Sequence, residues 1–300
     1  MNVFTIKEIE QICGIKAHTL RIWEQRYKII SPKRKESNHR TFDSDDLKHI
    51  LRITFLYNAG LKISKIARLS CSDLINMTSL LAEKQTPTRT NDLYVTQLIN
   101  ATLDFDEQTI DMVLQDAINR KGVERAIVSI IYPFFEKIGL LWLTDNVVPA
   151  QEHFCSNLIR QKLVRAIEET PAPEDQDNTF VLFTPEGELH ELPLLFMHYL
   201  LKSAGITVYY LGVNIPVADI KFFLSRKKVR YLYLHAITPL TSSSIDMYMT
   251  ELAAIFSEQE IIVSGPVTRT LTSQASNMRL LSSMKEILAF GKQPLPVVTR

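Results

Sequence analysis

Two residues of this 300-residue chain have types and a spacing that suit metal chemistry. They are a glutamate and a histidine two positions apart, Glu188 and His190. The apolar run at 180–183 is typical of a buried strand, a proline and a glycine end it, and apolar residues at helical spacing follow from Leu192. The pair therefore lies beyond the carboxyl end of a strand, where open α/β sheets bind ligands. Because a metal-binding imidazole needs its second nitrogen held, and Glu188 can reach it, the pattern predicts a metal ligand at His190. An ordinary solvated loop histidine is the alternative.

The triplet Glu188-Leu189-His190 resembles the D-x-H-x-x-G signature of cobalamin-binding domains, in the E-x-H form found in MerR-type cobalamin-dependent regulators. The resemblance implies a cobalamin cofactor, with adenosylcobalamin as the expected form, and His190 as the ligand to its cobalt. Pro193 stands at the position of the family's glycine, which lets the cofactor's nucleotide tail pass close to the backbone.

A second group of residues is formed by Trp142 and, after nine intervening residues, Glu152 and His153. Taken singly, such a tryptophan is usually part of a core and such a Glu-His pair is usually solvated. The spacing resembles the helical bundle of the cobalamin-dependent photoreceptor repressors, which implies that Trp142 covers the upper face of the corrin and that the pair lines the same pocket. Leu143 stands where those photoreceptors have a histidine that ligates cobalt after illumination, so we expect a weak or absent light response.

The elements that position the first pair alternate five times between strand and helix. Strands are predicted at 180–183, 207–211, 231–234, 261–263 and 279–281, and helices at 192–203, 217–226, 245–256, 269–276 and 284–289. Such alternation with short loops predicts a doubly wound parallel sheet. The pattern resembles the flavodoxin-like cobalamin domain, whose later loops wrap the nucleotide tail, and this resemblance adds four cofactor-binding candidates: Thr238, Ser242, Ser264 and Gly265.

The amino-terminal part has a different chemistry, because residues 1–70 hold fourteen lysines and arginines against seven acidic residues, whereas the rest of the chain is net acidic. A basic module on an acidic body indicates a polyanionic partner for that module. Thr5 with Glu8 predicts a capped helix that Gly14 ends, and a second helix follows over 18–26. This pattern predicts a winged helix-turn-helix whose second helix enters the major groove of double-stranded DNA.

The residues predicted to bind DNA are polar or basic side chains on the second helix and on the following basic loop at 33–40. They are Lys16, His18, Thr19, Arg21, Arg26, Tyr27, Arg34, Asn38 and Arg40. Trp23 and Tyr27 are expected chiefly to pack the helix. The motifs T-L-R-x-W-E-x-R-Y and N-x-R-x-F resemble the MerR-family DNA-binding domain, which implies a dimer on an inverted repeat in promoter DNA.

The fold class is therefore multidomain α and α/β: a winged helix-turn-helix at 1–72, a linker at 73–91, a four-helix bundle at 92–172 and a flavodoxin-like doubly wound parallel sheet at 178–300. Three scattered cysteines without a C-x-x-C pair favour a reducing compartment and argue against a structural zinc. With no signal-peptide core and only short apolar runs, the chain is expected in the cytoplasm.

No G-x-S-x-G, P-loop or H-E-x-x-H motif is present, so we do not expect an enzyme. The sequence predicts a DNA-binding transcriptional regulator, of the repressor kind, whose bundle and sheet form a cobalamin-binding sensory unit. Cofactor binding or oligomeric state, dimer or tetramer, would control promoter occupancy. One alternative is a degenerate, cofactor-free domain used for oligomerisation or for a protein partner, motivated by Pro193, Pro266 and Leu143. A corrinoid methyl carrier is the other, and the helix-turn-helix argues against it.

Overall fold

A computed structural model describes residues 4–30, 32–34, 40–58, 60–70, 72–74, 76–77, 87–143, 147–173, 175–237, 245–272 and 274–292. The chain divides into two compact units, Met1–Ile159 and Arg160–Arg300. Three predicted site residues, Asn38, Thr238 and Ser242, lie outside the described residues. The side chains of Arg34, Trp142 and Leu143 also lie outside them, although the backbone at these positions is described.

The chain begins with strand β1 (Phe4–Thr5) and helix α1 (Ile6–Cys13). The Thr5 hydroxyl accepts from the Glu8 N–H, and the Glu8 carboxylate accepts from the Thr5 N–H, which satisfies two backbone donors at the helix start. Gly14 ends the helix at φ +73°, a left-handed conformation that glycine adopts without strain. The predicted cap and stop of this helix are therefore confirmed.

The rest of the head completes a winged helix-turn-helix. Helix α2 (Ala17–Ile22) continues as a π-helical turn, Trp23–Tyr27. Strands β2 (Lys33–Arg34) and β3 (Arg40–Phe42) join β1 in an antiparallel sheet with the order β1-β3-β2. Helices α3 (Ser44–Asn58) and α4 (Ile63–Ile66) follow. The core is formed by apolar side chains at most 2% exposed, namely Phe4, Ile9, Leu20, Trp23, Phe42 and Leu47.

Four helical stretches follow, as the periodicity predicted. They are α5 (Pro87–Leu103), α6 (Glu107–Lys121), a third stretch from α7 (Val123–Ala126) through a π-helical turn at Ile127–Ile131 into α8 (Tyr132–Leu143), and α9 (Pro149–Glu169). Helix α5 begins inside the predicted linker at 73–91, because a proline is well suited to the first position of a helix. The bundle therefore begins earlier than the predicted residue 92.

The carboxyl-terminal strands form one parallel sheet. The strands are β4 (Asp175–Pro185), β5 (Ile206–Ile215), β6 (Tyr231–His235), β7 (Glu260–Ser264) and β8 (Met278–Leu281). The helices are α10 (Leu192–Ser203), α11 (Val217–Arg226), α12 (Ile245–Ile255) and α13 (Met284–Lys292). The strand order β5-β4-β6-β7-β8 is that of flavodoxin-like folds, with apolar clusters packed on each face. The doubly wound parallel sheet is confirmed.

The helix predicted at 269–276 is wrong. A short 3-10 helix, Pro266–Arg269, occupies the start of this segment, and no α-helix follows in its described residues. The Thr272 N–H donates to Oδ1 of Asp246 at 2.8 Å rather than to a helical carbonyl. Because the carboxylate of a residue distant in sequence accepts this N–H, the stretch has a tertiary hydrogen bond in place of a helical one.

None of the helices described here is long and apolar enough to cross a membrane.

Candidate ligand site and nucleic-acid interface

The loop after β4 is organised by the carboxylate of Glu188, which is fully buried. Its Oε1 lies 2.5 Å from Nδ1 of His190 and accepts from the His190 backbone N–H at 3.0 Å. Its Oε2 accepts from the Ile237 N–H at 2.7 Å, in the loop after β6. One carboxylate therefore fixes the imidazole and also joins the loops of two neighbouring strands.

These two strands flank the topological switch point of the sheet. Strand β4 lies between β5 and β6; the connection from β4 leads to β5 on one side, whereas the connection from β6 leads to β7 on the other side. Open α/β sheets bind ligands in the crevice that forms at this position, beyond the carboxyl ends of the strands. His190 is 55% exposed at its side chain, so the ring reaches the surface at the place where the fold forms a ligand crevice.

The loop after β4 is also held by hydrogen bonds from two polar side chains, Thr184 and Asn214, which no sequence pattern indicated. The buried Thr184 hydroxyl donates to the Glu188 carbonyl at 2.6 Å and accepts from the Asn214 N–H at 2.9 Å. The Asn214 side-chain oxygen accepts from the Gly187 N–H at 2.8 Å. Asn214 has a φ of +59°, a conformation that asparagine tolerates better than most residues. Strand β5 runs to Ile215, beyond its predicted end, and thereby brings Asn214 to this loop.

The donor set indicates which kind of metal His190 suits. A carboxylate on Nδ1 favours the tautomer with the proton on Nδ1 and the lone pair on Nε2, which is the form that ligates a metal. A protein-bound zinc ion requires three or four protein ligands. No group of three His, Cys, Asp or Glu residues that could hold a metal occurs in the described part of the chain.

Ser264, a predicted cofactor contact, has a side chain that is fully buried at the end of β7. Its hydroxyl lies 2.5 Å from the Tyr233 hydroxyl and 2.8 Å from Nδ1 of His235. Burial lowers the pKa of His235 to about 4, so this imidazole is neutral near pH 7. Ser264 therefore supports the end of the sheet from within, its contact with a cofactor stays a prediction, and no sequence pattern indicated either of its partners.

Gly265 is required by the backbone at the next position. Its φ is +98°, and a Cβ placed there would lie 2.4 Å from the Ala236 carbonyl oxygen. The ends of β6 and β7 can approach this closely only with glycine between them. Pro193 and Pro266 also have structural explanations, because each lies in the first turn of a helix, α10 and the 3-10 helix respectively.

A second polar network surrounds Glu191, the neighbour of His190. Its carboxylate accepts from Nε of Arg160 at 2.5 Å and from the Tyr210 hydroxyl at 3.0 Å. Burial raises the pKa of Tyr210, and the His198 ring stacks on its ring with centroids 5.3 Å apart. No spacing pattern in the sequence indicates this network, because its members come from α9, the loop after β4, α10 and β5.

In the first unit, the predicted Glu152 and His153 lie in the first turns of α9. Nδ1 of His153 is 2.9 Å from the Glu152 carboxylate, and the His153 side chain is 70% exposed. Trp142 lies at the end of α8. The structure thus places these residues at the two ends of one helix connection, and their role in a cofactor pocket stays a prediction.

The predicted DNA-binding residues of α2 and its π-helical turn are mostly accessible. Lys16, His18, Arg21 and Arg26 are exposed, whereas Thr19 and Tyr27 are half-buried. Trp23 is buried and packs edge-on against Tyr57, with ring centroids 5.1 Å apart, as expected of a core residue. An exposed row of cations on one helix of this motif is the arrangement that binds DNA phosphates and base edges.

Arg40 differs from Lys16, which pairs with Glu10 at the exposed surface, because the ion pair of Arg40 is largely buried inside the head. Its Nε lies 2.6 Å from the Glu24 carboxylate, and both side chains are at most 20% exposed. Glu24 lies in the π-helical turn and Arg40 begins β3, so the pair fixes the wing sheet to the second helix. The geometry assigns Arg40 a positioning role in addition to any contact with DNA.

Two stretches of the chain match known families: residues 4–71 match the MerR HTH family of regulatory proteins, and residues 94–166 match a B12 binding domain. The chain is similar to the HTH-type transcriptional repressor CarH of Myxococcus xanthus, at 23% identity over 222 residues, covering 73% of this chain and 74% of the relative. CarA of the same organism, also an HTH-type transcriptional repressor, is 29% identical over 219 residues, covering 72% and 70%. The chain is a MerR-type DNA-binding regulator with a B12-binding domain.

This MerR-type regulator is related to transcriptional repressors rather than to enzymes, as expected. Among solved structures, the monomethylamine corrinoid protein of Methanosarcina barkeri superposes with a TM-score of 0.51 at 13% identity, over 65% of this chain and 95% of that one. At that identity the likeness concerns the fold alone. The B12-domain match covers the bundle and ends before β4, so the chemistry of the sheet must be argued from its own residues.

Proposed function

We propose that the sheet of this MerR-type regulator binds a cobalamin with His190 as the protein ligand to cobalt. The observation that supports this most strongly is the Glu188 carboxylate, which holds Nδ1 of His190 and the Ile237 N–H across the switch point. A solvated surface histidine needs no fully buried carboxylate beneath it, because burying a charge is costly unless that charge is paired. When bound, the corrinoid would supply a cobalt centre that the His190 imidazole could ligate.

The residues of the sheet have distinct tasks in this proposal. Glu188 orients the His190 ring and increases its basicity as a ligand. Thr184 and Asn214 hold the loop in the conformation that presents this ring. The B12-domain match over the bundle supports a cofactor-facing role for Trp142, Glu152 and His153.

A visible spectrum tests the proposal directly. The full-length protein is mixed with hydroxocobalamin or adenosylcobalamin, passed through a gel-filtration column and scanned for cobalamin absorbance. We expect co-elution with the wild type and loss of bound cobalamin with His190→Ala. Glu188→Gln should weaken binding by about 10- to 100-fold, the usual cost of losing a group that orients a metal ligand.

His18→Ala is the matched control, because it removes an exposed imidazole from the DNA-binding head. It should bind cobalamin as the wild type does. If His190→Ala retains the cobalamin, His190 is not its ligand. If the wild type elutes without absorbance for either cobalamin, the cofactor proposal fails, although the assignment as a MerR-type regulator does not depend on it.

Buried, hydrogen-bonded polar side chains at the carboxyl ends of β6 and β7 favour a second function. Tyr233, His235 and Ser264 fill this position with hydrogen-bonded side chains, and the segment Ser264-Gly265-Pro266 stands where the resembling domains have paired glycines. If these side chains occupy the volume that a cofactor would need, the sheet would serve oligomerisation or a protein partner instead. The same spectrum distinguishes the two functions, because this version of the domain binds no cobalamin at any protein concentration.

Control of DNA binding completes the proposal. Adenosylcobalamin is the form we propose, and its occupancy would change a dimer–tetramer equilibrium and hence occupancy of promoter DNA. The relatedness to the repressors CarH and CarA supports repression as the output. Sedimentation velocity with and without adenosylcobalamin measures the first step, and an unchanged distribution for the loaded protein would exclude control through oligomeric state.

A further inference from the structure

A cavity of about 200 Å³ lies inside the first unit, between α1 and α3 of the DNA-binding head and α5 and α8 of the bundle. Its apolar wall is formed by Ile12, Leu51 and Phe55. Taking ~30 Å³ for a water molecule, the volume corresponds to roughly six or seven waters, so an occupant must be small. The cavity belongs to neither the recognition helix nor the His190 loop.

Lys137 of α8 lines this cavity and carries a positive charge when protonated. Its amine forms no hydrogen bond or ion pair with any residue that the structure describes. Burial lowers the pKa of Lys137, which expresses the cost of holding its charge away from water. An anionic group placed at this amine would offset that cost.

Thr54 of α3 supplies a second observation of the same kind. The residue is only 5% exposed and lines the cavity, and its buried hydroxyl oxygen has no oxygen or nitrogen partner among the described residues, its neighbour being the weakly hydrogen-bonding Cys13 thiol. A buried hydroxyl without a strong partner is costly, so native structures rarely keep one without a reason. A ligand oxygen in the cavity would give this hydroxyl a strong partner.

Asp92 of α5 adds a negative charge to the lining, within electrostatic reach of Lys137 but not in an ion pair with it. A simple carboxylate would meet repulsion from Asp92, and a simple amine would meet repulsion from Lys137. A molecule that carries both charges and an apolar group matches the whole lining. The charges and the volume together point to a small zwitterion.

We propose that this cavity is a second ligand site that binds an apolar α-amino acid. The ligand's carboxylate pairs with Lys137 and accepts from Thr54, its ammonium group faces Asp92, and its side chain packs on Ile12, Leu51 and Phe55. Such a ligand contacts α3 of the head and α8 of the bundle at once. Its occupancy therefore restrains the head and changes operator affinity.

Isothermal titration of the full-length protein with L-leucine tests the site. Two ligand controls each lack one charge: 4-methylpentanoate has no ammonium group and 3-methylbutylamine has no carboxylate. We expect saturable binding of L-leucine and at least about tenfold weaker binding of each control, the usual effect of losing one charge-assisted hydrogen bond. Absence of saturable heat with L-leucine up to about 10 mM overturns the proposal, and equal affinity for 4-methylpentanoate overturns the zwitterionic ligand.

Protein variants separate ligand binding from folding. Lys137→Met and Asp92→Asn should each weaken L-leucine binding about 10- to 100-fold. Thr54→Val should weaken it too, yet leave the melting temperature of the free protein unchanged or higher, because the valine buries no hydroxyl without a strong partner. Lys221→Met, on the exposed surface of α11, is the control and should bind normally.

Unchanged L-leucine affinity in both charge variants overturns the proposal. If Lys137→Met fails to fold, the affinity of Asp92→Asn tests the site instead, because Asp92 is exposed and its substitution should not disturb folding. A lower melting temperature of Thr54→Val with unchanged affinity assigns that hydroxyl to the fold and removes it from the site. If L-leucine binds but leaves operator affinity unchanged, the proposed control of the head is wrong.

Discussion

At the scale of single residues, the loop after β4 and the ends of β6 and β7 contain buried polar groups that are each paired with a specific partner. Glu188 is the clearest case, because one buried carboxylate accepts from two backbone N–H groups and holds one imidazole. Hydrogen bonds to a charged acceptor are about twice as strong as neutral ones, so such a group can define the conformation of a loop. His235 shows the opposite solution, since it is buried in its neutral form beside the Ser264 hydroxyl.

His235 leads to a prediction about pH. Its pKa is lowered from 6.5 to about 4 in the folded protein, so the unfolded chain binds one more proton between these values. The free energy of unfolding that depends on this residue is fully present above pH 6.5 and is lost as the pH falls toward 4. The loss amounts to up to about 3 kcal/mol across the window, with a slope of about 1.4 kcal/mol per pH unit.

Urea unfolding monitored at several pH values between 4 and 7 measures this slope. His235→Asn should flatten the profile by about one proton, because asparagine does not titrate there. His153→Asn, which changes a 70% exposed histidine, is the control and should leave the profile unaltered. An identical slope in wild type and His235→Asn would show that other groups govern acid unfolding.

At the scale of elements, the wing and the second helix of the head are joined by the ion pair between Arg40 and Glu24. Because of this connection, we expect the two arginines predicted from the sequence to bind DNA to affect DNA affinity in different ways. Arg21 is exposed on α2, so its side chain is accessible to DNA. Arg40 is largely buried, so its effect on affinity depends on the position of the wing.

The salt dependence of operator binding distinguishes these roles. Arg21→Ala should weaken binding and reduce the slope of log K against log salt by about one, as expected for one lost phosphate contact. Glu24→Gln should weaken binding with no change in slope, because glutamine contacts no phosphate but loosens the wing. Lys221→Met, in the sheet domain, is the control. A gel-shift titration with unchanged affinity for both head variants would contradict the assignment of this surface.

At the scale of the whole molecule, a DNA-binding head and a sensory domain in one chain must obey thermodynamic reciprocity. If cobalamin changes operator affinity by some factor, operator DNA must change cobalamin affinity by the same factor. We expect a factor of about 5 to 150, the usual range for coupled sites. Cobalamin titrations with saturating operator, with scrambled DNA and without DNA measure it, and equal affinities in all three would show that the two sites are uncoupled.

The sequence by itself determined the features that depend on neighbours along the chain. The capping box of Thr5 and Glu8, the stop at Gly14, the five strands of the sheet and the E-x-H triplet are all local patterns, and each is confirmed as structure. Local patterns are predictable because backbone conformation and side-chain periodicity are set within a few residues. The failed helix at 269–276 marks the limit of this approach, since Asp246, distant in sequence, accepts a backbone N–H that a helix needs.

Only the tertiary structure decided which distant residues act together. The Ile237 N–H on Glu188, the Asn214 side chain under the loop and the ion pair of Arg40 with Glu24 join positions between 16 and 49 residues apart. Ser264 shows the same limit, because a sequence pattern that marks it as a ligand contact cannot tell that β6 and β7 enclose its hydroxyl. Burial and pairing arise when strands and helices pack, so charges such as Lys137 acquire their chemical character only in the folded chain.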